Sequence, residues 1–199
     1  MTTPTFIGDI YINNNQDNEI IREILTENGY GIDKRVKLTG TVLDIGAHIG
    51  IFSKLALSRG CKVISVEPED KNFHLLTVNA PGATHIKKAV TSEKRAFLMV
   101  HPDRGEMHKL MPVGIPVDTI TLDELIGDGT IDLLKIDIEG GEYDAIMTST
   151  KMGQVNQIAM EYHLGLDRAV ELINFLNQFG LKPVYISGED FGQLQFLRK

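Results

Sequence analysis

Residues 41–50 read TVLDIGAHIG, and residues 63–68 read VISVEP. The first stretch is an apolar run that leads into a turn containing Gly46 and Gly50, and the second is an apolar run that ends on Glu67. An amphipathic helix is expected between them. This order of strand, glycine turn, helix, strand and acid predicts a β-α-β unit that binds a nucleoside, with the acid on the ribose.

The spacing of the glycines narrows the class of nucleoside. A dinucleotide site typically has the pattern GxGxxG, but His48 and Ile51 occupy its second and third glycine positions here. The remaining turn, Asp44-x-Gly46-x-x-x-Gly50, admits a close ligand but is not built around a diphosphate. S-adenosylmethionine has a ribose and no phosphate, so it matches this turn, and Glu67 is expected to accept hydrogen bonds from both ribose hydroxyls.

Length and composition predict one globular enzyme domain. The chain has 199 residues, 42% of them hydrophobic, and no linker-like stretch divides it. We therefore expect a single domain over residues 1–199, with a helix and a candidate lid in residues 1–40 and a nucleoside-binding α/β core in residues 41–199. The net charge of -7 disfavours a nucleic-acid partner and favours a neutral or cationic small substrate. The sequence fixes no oligomeric state.

Cysteine use and hydropathy bear on the compartment. Cys61 stands alone, so neither a disulfide framework nor a cysteine-rich metal site is expected. We find neither a basic segment followed by an apolar leader nor an apolar run of the ~20 residues that a membrane span needs. These patterns predict a cytoplasmic protein without a membrane partner.

Apolar periodicity predicts alternating helices and strands along the rest of the chain. Helices are expected over residues 18–28, 73–78, 121–126, 142–148 and 167–179, and strands over 85–90, 95–100, 115–120, 131–138, 157–162, 182–186 and 194–197. Such alternation indicates an α/β fold with a Rossmann-like, doubly wound and mostly parallel sheet. The last two strands are close enough in sequence to form a hairpin, so one strand at the edge, the last one, is expected to be antiparallel.

Two further motifs place polar residues where apolar strands end. Asp137 and Glu139 follow one such strand, and Glu161 and His163 follow another. Ligands of open parallel sheets bind beyond the carboxyl ends of the strands. We therefore expect these four titratable side chains to lie near the cofactor and to include the catalytic residues.

From about residue 40 to 180, the sequence resembles the FkbM-type family of S-adenosylmethionine-dependent methyltransferases. The matching stretches are residues 42–53, 66–68 with 72–73, 117–125, 134–142 and 160–163. The resemblance implies a seven-stranded methyltransferase sheet with S-adenosylmethionine as cofactor. The implied cofactor-binding residues are Asp44, Gly46, Ala47, His48 and Gly50 in the glycine turn, Glu67 and Pro68 at the ribose, Lys88 and Ala89 near the adenine, and Asp137 near the methionine amino group or the reacting centre.

The sequence also departs from this family's pattern. His48 stands where Asn is usual and Gly141 where Ala is usual. Residues 105–110 lack the serine-rich stretch that often precedes a later strand of the family, and the N-terminal part is short. The last two differences concern the acceptor substrate more than the cofactor.

The implied activity is O-methylation of a sugar or another small hydroxylated metabolite. A hydroxyl acceptor benefits from a general base, and Asp137, Glu139, Glu161 and His163 are the candidates. Magnesium would suit these oxygen-rich side chains, but no ligand-spacing signature supports it, so no metal is predicted. Two alternatives remain at this point: a non-catalytic S-adenosylmethionine-binding module, and a nicotinamide-dependent oxidoreductase, which the missing GxGxxG disfavours.

Overall fold

A computed structural model describes residues 9–92, 97–100, 109–111, 115–163 and 165–199. Helices and strands alternate in these ranges, as expected. The helices are α1 (Asp17–Arg22), which continues into a π-helical turn (Glu23–Glu27), α2 (Ile51–Ser58), α3 (Asp70–Asn79), α4 (Leu122–Ile126), α5 (Glu142–Met147) and α6 (Gly165–Gln178), with a short 3-10 turn at Met152–Gln154. Within these ranges, no helix is long and apolar enough to cross a membrane.

The strands follow the predicted apolar runs. They are β1 (Thr41–Ile45), β2 (Lys62–Val66), β3 (Thr84–Ile86), β4 (Ala89–Val90), β5 (Phe97–Val100), β6 (Lys109–Met111), β7 (Ile115–Val117), β8 (Thr119–Ile120), β9 (Leu133–Ile136), β10 (Gln157–Tyr162), β11 (Leu181–Ile186) and β12 (Gly192–Arg198). Seven of them form the main sheet, in the order β11-β12-β10-β9-β1-β2-β3.

The main sheet confirms the predicted doubly wound α/β fold. Its strands are parallel except β12, which runs antiparallel to both β10 and β11. The last strand is thus antiparallel, as predicted, and it lies one position in from the edge strand β11. The strand order reverses between β1 and β9, which is where ligands bind in such sheets.

Three strand predictions were wrong in their extent. The predicted strand 85–90 is divided into β3, in the main sheet, and β4, which pairs with β8 in a separate small sheet; the predicted strand 115–120 is divided into β7 and β8. The predicted strand 131–138 is shortened to residues 133–136. Apolar periodicity does not show which partner a strand pairs with, so a change of sheet within one run is invisible to it. Residues 95–96 and 105–108 lie outside the described part.

Both faces of the main sheet are covered. Leu43 and Ile136 belong to a core cluster that includes apolar side chains of α4, α5 and α6. Val42 and Leu133, on the opposite face, belong to a second cluster with side chains of α2 and with Tyr30. Burial on both faces explains why the central strands are continuous apolar runs. It also means that a charged side chain in one of these strands needs a partner.

Candidate active site

The carboxyl ends of four neighbouring strands meet at one edge of the sheet. Gly46 follows β1, Glu67 follows β2 and Asp137 follows β9. Glu161 is the penultimate residue of β10. The edge includes the reversal of strand order between β1 and β9. The structure therefore brings the two sequence-predicted groups, the glycine turn with its acid and the four titratable side chains, to one place.

Gly46 is required by the protein's own backbone. It has a φ of 72°, and a Cβ atom there would lie 1.8 Å from the carbonyl oxygen of Asp137. The backbone N–H of Asp137 also donates to the carbonyl of Ile45 over 3.1 Å. The end of β1 thus lies in close contact with the end of β9. Gly50 (φ 88°) is the residue immediately before α2 and forms its N-cap. The glycine pattern marks a close approach of two strand ends as well as the expected approach of a ligand.

Asp44 lies beneath the glycine turn. Its side chain is fully buried, and one carboxylate oxygen accepts a 2.6 Å hydrogen bond from the Ser53 hydroxyl, which also lies 2.6 Å from the Ser65 hydroxyl. The other oxygen lies 3.4 Å from the Lys135 ammonium. The side chain of Asp44 thus supports the turn from inside the core, and its influence on a ligand is indirect.

Lys135 is a buried cation that sequence reasoning missed. Its side chain is 4% exposed, and its Nζ atom donates to the carbonyl of Gly46 over 2.7 Å. Burial alone would lower the pKa of this ammonium, but Asp44 and Asp137 outweigh that effect and raise the pKa. Lys135 is the one charged residue of β9, whose other three residues are apolar. This is the signal that would have identified it, because a lysine in a buried strand must be paired.

Glu67 has the geometry expected of a ribose-binding acid. Its side chain is 5% exposed, and its two carboxylate oxygens accept 3.0 Å hydrogen bonds from the backbone N–H groups of His48 and Glu69. Burial raises its pKa to about 7, and the two backbone bonds offset part of the shift. A carboxylate has about four acceptor positions, so two remain for the two hydroxyls of a ribose. The residues present therefore fit the nucleoside part of S-adenosylmethionine.

The residues that the resemblance places at the cofactor lie around Glu67. Ala47 is buried in the turn, while His48 and Pro68 are half-buried beside it. The backbone N–H of Glu67 donates to the carbonyl of Ile86 over 3.1 Å. Lys88 and Ala89 are the second and third residues after Ile86. Ala89 is buried and donates its N–H to the carbonyl of Asp118.

Glu142 organises the loop that follows β9. It is fully buried, and its carboxylate accepts hydrogen bonds from the N–H groups of Ile138 (2.8 Å) and Gly140 (3.0 Å). The same carboxylate lies 3.2 Å from Nδ1 of His163, whose Nε2 lies 3.4 Å from Glu139. Burial would lower the pKa of His163, but these carboxylates outweigh it and raise the pKa to about 9. At neutral pH His163 is therefore a cation with no free site for a proton.

Glu161, unlike His163, is able to accept a proton near neutral pH. Burial raises its pKa to about 7, and the neighbouring Asp137 and Glu23 add to the shift. It lines an open cleft of about 580 Å³ together with the turn between β11 and β12. Glu161 thus combines a pKa near neutrality with contact to a cleft.

The chain before β1 also supplies two residues that sequence reasoning missed. The Tyr30 hydroxyl donates to Oδ2 of Asp137 over 2.9 Å, and burial, followed by the charge of Asp137, raises the pKa of Tyr30. Glu23 begins the π-helical turn, and its Oε1 lies 3.5 Å from Nε2 of Gln193. Such wide turns are frequent at functional sites. No local sequence pattern shows that this helix crosses the sheet edge.

Residues 13–17 form a polar segment within the N-terminal part where a candidate lid was expected, and this segment packs over the glycine turn. Asp17 is 3% exposed, and its Oδ2 accepts a 2.6 Å hydrogen bond from the N–H of Asn13. Its Oδ1 lies 3.9 Å from Nε2 of His48. Asn13 in turn donates to Asn72 of α3 over 2.9 Å. The loop thus joins the turn to the start of α3.

Asp137, Glu142 and His163 offer ligand atoms that lie within 4.8 Å of one another, which is close enough for one metal ion. Each group already has a protein partner: Tyr30 for Asp137, two backbone N–H groups for Glu142, and two carboxylates for His163. Hydrogen bonds and ion pairs account for this clustering.

Comparison with known proteins agrees with the geometry. Among solved structures, the chain is similar to the fibrillarin pre-rRNA processing protein of Methanococcus jannaschii (10% identity, 79% of this chain and 66% of that chain, TM-score 0.50) and to the human methyltransferase 10 domain containing protein (12% identity, 79% and 71%, TM-score 0.50). A ribosomal protein L11 methylase from Lactobacillus delbrueckii subsp. bulgaricus matches with 16% identity over 80% and 70%, at a TM-score of 0.48.

The similarity to these structures concerns the fold. No curated protein sequence matches the chain. Residues 44–183 match the methyltransferase FkbM domain, and this range contains the glycine turn, Glu67 and the four titratable side chains. The protein therefore belongs to the FkbM methyltransferase family.

Proposed function

We propose that the protein transfers a methyl group from S-adenosylmethionine to a hydroxyl group of a sugar or another small metabolite. One observation carries the proposal. Glu67, with two acceptor positions left for a ribose, lies on the same sheet edge as Glu161, a carboxylate whose pKa is raised to about 7. Family membership supports methyl transfer, and the carboxylate can accept the proton that a hydroxyl acceptor must lose.

The glycine turn, Glu67 and Asp137 would hold the cofactor. Glu67 would accept hydrogen bonds from the ribose, and Asp137, fixed by Tyr30, would face the amino group of the methionine part. When bound, the cofactor supplies a methyl group on a positively charged sulfur, so no acid is needed at the leaving group. The contribution of the protein is then to align both partners and to accept one proton.

Glu161 is the proposed general base. A pKa of about 7 makes it partly ionised at neutral pH and a better proton acceptor than an ordinary carboxylate. His163 is already protonated, while Glu139 and Glu142 are committed to it. A positioned base is worth typically ~10² to 10⁴ in rate. His163, Glu139 and Glu142 would instead fix the loop that carries Asp137.

The first experiment is calorimetric titration with S-adenosylhomocysteine, with NAD as comparator, on the wild type and on Glu67→Gln. We expect micromolar binding of S-adenosylhomocysteine, ~8 kcal/mol, and none of NAD. Glu67→Gln should weaken binding at least about tenfold, because the amide replaces a charged acceptor with a neutral one and a donor. Glu69→Gln is the matched control, because this buried carboxylate caps α3 through the N–H of Asn72.

The outcomes separate the hypotheses. Absence of S-adenosylhomocysteine binding, or preference for NAD, would contradict the cofactor assignment. Unchanged affinity in Glu67→Gln would remove Glu67 from the ribose site. If binding is as expected, an acceptor screen with methyl-labelled S-adenosylmethionine follows, and Glu161→Gln should lower turnover without changing cofactor affinity. A protein that binds the cofactor but methylates no hydroxylated compound would be a binding module.

A further inference from the structure

The cleft beside Glu161 has a chemical character of its own. It measures about 580 Å³, and its lining includes Glu161, Tyr185, Glu189, Asp190, Phe191 and Gln193. Glu161 belongs to the candidate active site, while the other residues come from β11, β12 and the turn between them. The cleft therefore extends from the proposed base outward to this turn.

The lining carries negative charge. Glu161, Glu189 and Asp190 are carboxylates, and among the described residues that line the cleft none is a lysine, an arginine or a histidine. Glu23 adds a further carboxylate behind Gln193. Of the two neighbouring cations, His163 is paired with Glu139 and Glu142, while Arg35 stacks on the Tyr185 ring at 3.9 Å and keeps its charge, so the carboxylates outnumber the cations around the cleft. An anionic ligand in this cleft would meet like charge, which disfavours it.

The cleft also contains aromatic surface. Phe191 is 65% exposed at the turn, while the half-buried Tyr185 ring already has Arg35 over one face, so Phe191 is the ring that a ligand can reach. The faces of aromatic rings attract cations, and carboxylates pair with them. Aromatic rings beside carboxylates therefore favour a ligand that has a positively charged group on a small, partly apolar body.

The turn that carries these groups is fixed in place. The hydroxyl of the buried Tyr162 lies 3.0 Å from the carbonyl oxygens of both Ser187 and Gly188. Gly188 has a φ of 80°, and a Cβ atom there would lie 1.9 Å from the carbonyl oxygen of Phe191, so the turn closes tightly. The N–H of Gly165, at the start of α6, donates to the carbonyl of Asp190 over 2.8 Å. These contacts hold the turn, which forms one wall of the cleft, and thereby position the carboxylates of Glu189 and Asp190 and the phenyl ring of Phe191.

We propose that this cleft binds the methyl acceptor, and that the acceptor bears a protonated amine in addition to its hydroxyl group. The amine pairs with Glu189 and Asp190 beside Phe191, while the hydroxyl group is presented to Glu161. The inference rests on the proposed function, which it narrows from any small hydroxylated metabolite to a cationic one, such as an amino sugar or an amino alcohol.

The test compares three probes with the same carbon chain: glucamine, which is cationic, sorbitol, which is neutral, and gluconate, which is anionic. Their dissociation constants are measured by NMR titration at pH 7.5, with the protein saturated with S-adenosylhomocysteine. We expect glucamine to bind about tenfold more tightly than sorbitol and gluconate to bind most weakly. Glu189→Gln and Asp190→Asn should each weaken glucamine binding about threefold, a change typical of one exposed ion pair.

Asp128→Asn is the matched control, because Asp128 is an exposed carboxylate that pairs with Lys151, and neither residue belongs to the described lining of the cleft. Its glucamine affinity should equal that of the wild type, and Asp190→Lys should favour gluconate. Equal or tighter binding of sorbitol, absence of glucamine binding, or equal effects of Asp190→Asn and Asp128→Asn would overturn the inference. Binding of S-adenosylhomocysteine is measured on the same samples. If this binding is absent, the proposed function is contradicted. The probes are then titrated into the protein without S-adenosylhomocysteine, so that the inference about the cleft is tested separately.

Discussion

At the scale of single residues, Lys135 connects the core of the sheet to the site. It pairs with Asp44 on the neighbouring strand, bonds the carbonyl of Gly46, and lies 5.5 Å from the centre of the Tyr30 ring. Asp44 and Lys135 are register partners on the parallel strands β1 and β9, so their side chains leave the same face of the sheet. The pair is buried, and each charge depends on the other.

The pair predicts a non-additive double-mutant cycle. Lys135→Met should lower the free energy of unfolding by about 3 to 5 kcal/mol, because it leaves the Asp44 carboxylate buried without its cation. Asp44→Asn in the Lys135→Met background should restore at least about 1 kcal/mol of that loss. Urea denaturation of the four proteins measures the cycle. Additive effects of the two substitutions would show that the charges do not depend on each other.

Glu67 predicts a pH-dependent affinity for the cofactor product. Its pKa is raised to about 7 in the free protein, chiefly by burial, and the ionised form is the better acceptor for the ribose. Ionisation increases with pH, so affinity for S-adenosylhomocysteine should rise about tenfold between pH 6 and pH 8 and level off above. Calorimetry across this range gives the profile. The same slope in Glu67→Gln would assign the titration to another group.

Sequence reasoning found the site residues that end strands. Glu67, Asp137, Glu161 and His163 were predicted to lie near one another because they follow apolar runs in a parallel sheet, and the structure brings them to one edge. Tyr30 was missed because it reaches Asp137 from 107 residues away, a contact that no local pattern encodes. The raised pKa of His163 was missed for the same reason, since it depends on the buried position of Glu142.

At the scale of elements, the contact between the ends of β1 and β9 decides the shape of the glycine turn. Gly46 and Gly60 both have positive φ, at 72° and 81°. A Cβ atom at Gly46 would lie 1.8 Å from the carbonyl oxygen of Asp137, whereas nothing lies within 4 Å of one at Gly60. Substitution at Gly60 therefore reports the backbone strain of a positive φ alone, whereas substitution at Gly46 reports this strain together with a steric clash.

Alanine substitutions at the two glycines should differ strongly. Gly60→Ala should cost about 1 kcal/mol, the strain of a left-handed residue. Gly46→Ala should cost more than about 3 kcal/mol, because β1 and β9 must also move apart. Urea unfolding measures both. Similar costs at the two positions would mean that the strand ends separate easily.

The elements also show where pattern reasoning is limited. Thr121 and Glu124 have the sequence spacing of a capping box, and the structure contains both of its hydrogen bonds at the start of α4. The division of residues 85–90 between β3 and β4 was not predicted. A capping box is a contact over three residues, whereas the division depends on β2 and β8, which are distant in sequence.

At the scale of the whole molecule, residues 11–30 run along the carboxyl edge of the sheet. Both the N–H and the carbonyl of Tyr11 bond the side chain of Asn79 at the end of α3, each over 2.8 Å. Asp17 reaches the glycine turn, and Tyr30 reaches Asp137. The segment thus passes from the proposed ribose side of the site to the proposed methyl-transfer side.

Asn79 should control how firmly this segment is attached. Asn79→Ala removes the bonds to Tyr11 and a further bond to the carbonyl of Ile49, and we expect a loss of about 2 to 3 kcal/mol in unfolding free energy. Hydrogen exchange should accelerate at residues 11–14 and stay unchanged at residues 23–31. Thr77→Ala is the control, since this exposed hydroxyl bonds only within α3 at His74. Equal exchange in both variants would contradict the attachment.

The position of β12 between β10 and β11 has a consequence for how the molecule folds. As the chain is synthesised, β10 and β11 both appear before the strand that separates them. Docking of β11 directly onto β10 would leave no place for β12, and early pairing of β11 with β12 avoids that misfolded order. Hairpins are local contacts and form early. The pair then joins β10 as one unit, and the wall of the cleft is assembled in the same step that completes the sheet.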